Sequence, residues 1–285
     1  PYKKVEENFP VTANAYQTAP NTNAVMGDGF ASKISPTGNS LEYSTYISGN
    51  DQDSGNGIAI DEQGMAYIVG TTTSDNLVPS TVPGYQKNRK GGQDAFLFKM
   101  NFVASSPPIY ATYLGGVTGY DYGEAVAVDQ DFSAYVTGAT ASTDFPNTTY
   151  AKQRTKGWPY DYFDKDAYVT RFSADGTSLE YSTYLGGSSN EWAYGIAVDE
   201  YRRAFVTGYT KSESFPKYDS IKTVTNSGDQ DGFLTCVNPT GSDWVYSTVF
   251  GGYRDETSHG VAVSDDGNTT LVTGWTDSPS ILYLV

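Results

Sequence analysis

Histidine and cysteine are almost absent from this chain: each occurs once in 285 residues, as His259 and Cys236. A single cysteine excludes an internal disulfide. A single histidine excludes a three-histidine zinc centre, and any serine-type triad would have to be built on His259. Positive charge is also scarce. Eighteen Lys and Arg stand against 33 Asp and Glu, for a net charge of −15 and a pI near 4.3. That balance argues against nucleic acid and anionic membrane as partners, because both are bound through basic patches. It permits cation binding and favours solubility. No apolar run approaches the roughly 20 residues that a membrane helix needs, so no membrane span is expected in this chain. The opening PYKKVEENFP has neither an initiator Met nor the apolar core of a signal peptide, which points to a processed chain or a fragment.

Glycine (30), tyrosine (24) and phenylalanine (13) are plentiful, and 38% of the residues are hydrophobic, so the chain can bury a core. The apolar residues come in short alternating runs separated by Asp/Gly turns, which is the pattern of half-buried strands. These runs recur. Tyr43, Tyr110, Tyr181 and Tyr246 open YST, YAT, YST and YST; Gly70, Gly138, Gly208 and Gly274 close VG or VTG; Asp28, Asp94, Asp166 and Asp231 open DGF, DAF, DAY and DGF. The clearest copy runs from Asp166 to Thr210. A fixed period of this length is the mark of a repeat architecture. The repeats fall at approximately 25–76, 92–144, 164–214 and 229–279, after a linker end at 1–24, and 1–285 reads as one domain.

The text DAYVTRF…DGTSLEYSTYLGG…YGIAVD…AFVTGYT…ESFP resembles the SBBP repeat, a β-propeller repeat of large surface and secreted proteins. The resemblance covers nearly the whole chain. It departs at Val78, where two other linkers have Phe, and at Ser264, where the other copies have Asp61, Asp129 and Asp199. It implies an all-β propeller of four-stranded repeats of about 65–70 residues, either a four-bladed ring or part of a larger ring of about seven blades. It also implies an extracellular or cell-surface address, and no particular reaction. In propeller geometry the innermost strand lines a central channel. The small residues of GIAVD (Gly57–Asp61, Glu124–Asp129, Gly195–Asp199, Gly260–Ser264) suit that place. AFVTG then becomes the second strand, DAYVTRF the third and LEYSTYLGG the outer edge. The paired glycines (Gly115–Gly116, Gly186–Gly187, Gly251–Gly252) are expected to supply the positive φ and tight bends of the crossing to the next blade. On this phase the first hairpin, Gly29–Ser48, supplies only outer strands, and the last, His259–Thr276, only inner ones.

Chemistry is expected from three groups. Asp51 and Asp53, Asp121, Asn190 and Glu191, and Asp255 and Glu256 precede the inner strand, and Asp61, Asp129 and Asp199 follow it. Such oxygens are ligands of the kind that Ca²⁺ takes. The plainer reading makes the upstream group solvated loop acids and the downstream group caps of D-x-x-G turns. Trp158, Tyr160 and Tyr162 in the longest linker could stack on a sugar ring, or pin that linker to its own blade. Asn147 and Asn268 open N-glycosylation sequons. His259 reads as structural, and Cys236 as a small buried side chain. The expected function is therefore non-catalytic: an extracellular module for adhesion, surface-layer or appendage assembly, with protein partners or copies of itself. A carbohydrate-binding or polysaccharide-cleaving propeller is the alternative, with His259, a tyrosine and Arg254 as the cleaving set.

Overall fold

A computed structural model of the chain describes residues 9–21, 27–103, 105–158, 163–221 and 229–279. Among these the regular structure is entirely strand, in sixteen segments. They are β1 (Gly29–Ile34), β2 (Leu41–Ile47), β3 (Asp53–Ile60), β4 (Ala66–Thr72), β5 (Asp94–Met100), β6 (Tyr110–Leu114), β7 (Asp121–Val128) and β8 (Ala134–Thr140). They continue as β9 (Asp166–Phe172), β10 (Leu179–Leu185), β11 (Glu191–Val198), β12 (Ala204–Thr210), β13 (Asp231–Val237), β14 (Trp244–Phe250), β15 (Glu256–Val263) and β16 (Thr270–Thr276). All pairings are antiparallel, in three four-stranded sheets, β3–β6, β7–β10 and β11–β14. The halves β1–β2 and β15–β16 are separate two-stranded sheets, and among the described residues β1 pairs with β2 alone. A blade is thus not a sequence repeat: its inner pair comes from one copy and its outer pair from the next.

The strands β3, β7, β11 and β15 pack one on the next, as expected of innermost strands. They begin four residues earlier than the GIAVD pattern suggests for β3 and β11, and the physical cause is a bulge. Register shifts between Gly55 and Gly57, Gly123 and Ala125, Ala193 and Gly195, and Ser258 and Gly260 leave Asn56, Glu124, Tyr194 and His259 unpaired. One extra residue reverses the in–out alternation, so period-two reading stops at the bulge.

Aromatic rings fill the space between and within sheets. Tyr110 meets Tyr67 edge-on at 6.3 Å, Tyr181 meets Tyr135 likewise at 6.3 Å, and Tyr43 stacks on Phe102 at 4.8 Å. The linker phenylalanines sit on the third-strand rings, Phe145 on Tyr168 at 4.5 Å and Phe215 on Phe233 at 4.8 Å. The YSTY tyrosines are therefore packing elements, and the Tyr113 and Tyr184 hydroxyls donate to the Ser74 and Ser142 carbonyls of the linkers, each at 2.9 Å.

The downstream acids cap turns. Asp61 Oδ1 accepts the amides of Gln63 and Met65, and Asp129 Oδ1 those of Asp131 and Ser133. Their second oxygens accept Tyr67 and Tyr135 hydroxyls and face a buried cation of the third strand: Lys99 at 3.5 Å from Asp61, Arg171 at 2.9 Å from Asp129. In the third blade Cys236 occupies that cation's place, and the charge comes instead from Arg203, 2.6 Å from Asp199. Cys236 is buried and its thiol is pushed up to about 12 by burial, so it stays a protonated packing group at neutral pH. Arg171 also reaches Glu180 at 3.0 Å and lies over the Tyr135 ring. Arg171→Ala would leave Asp129 buried without its counter-ion. Chemical denaturation should show a loss of about 3–5 kcal/mol, and a loss under about 1 kcal/mol would contradict this account.

Candidate functional site

The four bulge residues and the residues two positions before them occupy one end of the inner strands. These are Ser54 and Asn56, Tyr122 and Glu124, Trp192 and Tyr194, and Thr257 and His259. A bulge releases its residue from the ladder and re-aims its side chain. The result is a continuous cluster across blades. Trp192 lies 4.7 Å from Tyr122 and, nearly parallel, 6.1 Å from Tyr194. Tyr194 contacts His259 at 5.1 Å and Tyr209 at 6.1 Å. The Trp192 indole N–H donates to Glu124 Oε1 at 3.1 Å, and Asn56 Nδ2 donates to the Gly123 carbonyl at 2.9 Å. Lys165 lies over the Tyr122 and Trp192 rings at 5.7 and 5.5 Å. Ser54, Asn56 and His259 are exposed, Tyr122, Glu124, Trp192 and Tyr194 are half-buried, and Thr257 is buried. Burial raises the Glu124 carboxyl and lowers the Lys165 ammonium from their ordinary values, and pushes the Tyr194 phenol up to about 12. Flat apolar faces beside a carboxylate, an amide, an imidazole and an ammonium make a surface that can stack a ring and hydrogen-bond its edge.

Sequence reading passed over this cluster because it sought acids and runs of aromatics. The signal was repeat variation: inside a nearly constant strand, two positions read Ser/Tyr/Trp/Thr and Asn/Glu/Tyr/His. The opposite end of the same strands is acidic. Glu62, Gln130, Glu200 and Asp265 rim a cavity of about 280 Å³ floored by Val128 and Val198.

The upstream acids do not form a common cluster. Asp51 is exposed, its Oδ1 accepting the amide of Gln52. Asp255 is half-buried, and its carbonyl accepts the Asp277 amide. Asp53 and Asp121 are not loop acids but the buried first residues of β3 and β7. Asp121 accepts Thr140 Oγ1 at 2.5 Å, Ser142 Oγ at 2.9 Å and the Gly116 amide at 2.8 Å. Asp53 does the same with Thr72, Ser74 and Gly49. Their true counterparts are Glu191, which accepts from Thr210 and the Gly187 amide, and Glu256, which accepts from Thr276 and the Gly252 amide. Each such carboxyl ties the crossing strand to the end of its blade's second strand. The paired glycines are needed for room beside it, not for positive φ. A Cβ at Gly115 would meet the carboxyls of Asp94 and Asp121, and one at Gly186 those of Asp166 and Glu191. None of the paired glycines has positive φ. Among the described residues no group of three or more His, Cys, Asp or Glu is placed to hold a metal ion.

The aromatic linker contributes an exposed Trp158, while Tyr160 and Tyr162 lie outside the described residues. Asn268 is exposed in the β15–β16 turn, donating to Asp266 Oδ2 at 2.8 Å; Asn147 is likewise exposed, in the linker after β8. Arg254 faces Asp277 at 3.5 Å, whereas His259 faces Tyr194.

The family model described as a beta-propeller repeat, SBBP, matches residues 42–77, 109–146 and 180–216. The chain carries SBBP repeats. Each matched SBBP segment begins at an outer strand, passes through the crossing glycines and the whole inner strand, and ends in the next linker. The bulge residues Asn56, Glu124 and Tyr194 therefore fall inside the matched SBBP segments, whereas His259 belongs to the fourth copy. No curated protein matches the chain.

Proposed function

We propose that this chain is a non-catalytic recognition module of an extracellular adhesive, surface-layer or appendage-building protein, and that it holds carbohydrate on the aromatic end of its inner strands. The observation that carries the reading is the run Tyr122–Trp192–Tyr194–His259, contributed by three inner strands, with Glu124 and Asn56 beside it. The strong negative charge turns this surface away from polyanions such as nucleic acid. Binding is favoured over cleavage because a tyrosine acting as base needs a lowered phenol, and burial moves Tyr194 the other way. The unjoined halves β1–β2 and β15–β16 support placing these blades in a ring of more than four.

The test is retention on a panel of immobilised neutral and acidic polysaccharides, with Trp192→Ala and Tyr194→Ala as variants. A ligand should be found whose affinity falls about tenfold or more in each variant, as for a central aromatic anchor. Binding that survives both substitutions, or turnover of the polysaccharide, would overturn the reading.

A further inference from the structure

The two half-sheets are complementary, and the chain itself shows how they fit. In every complete blade the second strand pairs with the third in one register: Gly70 opposite Phe96, Gly138 opposite Tyr168, Gly208 opposite Phe233. The matching residues of the open edges are Gly274 on β16 and Phe30 on β1. The third-strand rings of the three complete blades are 0% exposed, while Phe30 is 54% exposed. Yet Phe30 is already seated on its linker ring, Phe9, at 4.6 Å, as Tyr168 is on Phe145 and Phe233 on Phe215. Among the described residues no glycine strand lies beside it. At the other end a Cβ on Gly70 would strike the Phe96 ring, whereas beside Gly274 runs a groove of about 200 Å³ lined by Phe250, Ser258, Val272 and Trp275. Leu271 is 67% exposed, although its counterparts Tyr67, Tyr135 and Phe205 are at most 1% exposed.

A third deficit belongs to the same joint. The second and third strands of each blade pack on the inner strand of the next. On β3 only β1 and β2 do so, and Ile58 is 56% exposed where Val126 and Ile196 are 8% and 9%. A second strand placed beside β1 would cover Ile58 and Ile60.

We propose that copies of this chain join head to tail, β16 of one copy pairing with β1 of another, to complete a four-stranded blade from two half-sheets. The register is Gly274 opposite Phe30, with Leu271 opposite Lys33 and Thr270 opposite Ile34. The Thr273 hydroxyl then donates to the Phe30 carbonyl, as Thr137 and Thr207 donate to those of Tyr168 and Phe233, each at 2.6 Å. The ladder supplies affinity, and the ring-on-glycine contact supplies register. The joint is heterologous, so it yields a closed ring of copies or an open filament. It is independent of what the aromatic end binds.

Sedimentation of the full chain over a wide range of concentrations tests this. Wild type should show concentration-dependent association. Phe30→Asp, which spoils β1, and Leu271→Asp, which spoils β16, should each abolish it. Mixed together they should form a one-to-one dimer, because one retains a sound β16 and the other a sound β1. The mixture also shows that both variants are folded. A wild-type chain monomeric at every concentration, or association unaffected by either substitution, would overturn the proposal. So would variants that stay monomeric when mixed while keeping the wild-type sheet spectrum by circular dichroism.

Discussion

Raising the pH from about 5 to about 9 is expected to lower the melting temperature of this chain substantially, on the order of 10 °C. Burial pushes Asp121 and Asp166 up to about 7, Glu191 up to about 8 and Asp231 up to about 6, and a neighbouring carboxyl adds to the last two, Asp166 beside Glu191 and Glu256 beside Asp231. Burial likewise raises Asp53 and Asp94. A carboxyl held protonated more tightly in the folded chain than in the unfolded one contributes fully below the unfolded value of about 4. That contribution is lost as the pH rises through the folded value, here between about 6 and 8. Each tenfold change in proton affinity is about 1.4 kcal/mol, so several such sites together weigh against a domain stability of about 5–15 kcal/mol. General repulsion among the acids acts in the same direction. The turn and ion-pair acids Asp144, Asp175, Asp243 and Asp266 are lowered, so their contributions disappear only at strongly acid pH. Thermal scans across this range check the prediction, with Glu191→Gln and Asp121→Asn flattening the slope. A melting temperature that rises from pH about 5 to about 9 would contradict it.

Gly138→Ala should be among the most damaging single substitutions, costing about 3–5 kcal/mol. The bulge in β7 brings the Tyr122 carbonyl oxygen onto the place where a Cβ would stand, and the following backbone at Glu124 is also close. Those atoms belong to the inner strand itself, which is held on both sides and cannot retreat. Gly64→Ala is the contrast. Its φ is +77° in an open turn with nothing near the added carbon, so the cost is that of a left-handed residue, about 1–2 kcal/mol. Phe132 and Arg202 show that such turns tolerate a side chain, with φ of 66° and 64° at the corresponding positions. Urea denaturation of the two variants measures the difference. Equal costs would mean that the carbonyl over Gly138 yields more readily than a paired strand should.

The strand order and the role of each run were legible because alternation, turn glycines and repetition all report the same local constraint, one side of a strand against a core. GIAVD could be placed innermost because only small residues fit there. The same reasoning failed at Asn56, Glu124, Tyr194 and His259, since an unpaired residue breaks the alternation on which it depends. It also misjudged Asp53 and Asp121. A carboxylate in a polar stretch reads as solvated, and nothing local reveals that Thr140, Ser142 and Gly116, distant in sequence, will converge on Asp121. The crossing glycines were recognised as necessary but for the wrong reason: their requirement is volume beside that carboxyl.

The bulge divides labour within each inner strand. Pairing is carried by residues on either side of it, such as Ala193 and Gly195, while the residue it ejects makes no ladder contact. Substitution there leaves the hydrogen-bonded frame untouched, so the four ejected positions can be randomised together as a combinatorial library on one rigid scaffold. In that respect they are to this fold what hypervariable loops are to a sandwich domain, with the difference that each variable site is a single residue held between two paired positions of one strand. Selection from such a library would have little folding cost to overcome, and new specificities could be sought without lengthening any loop.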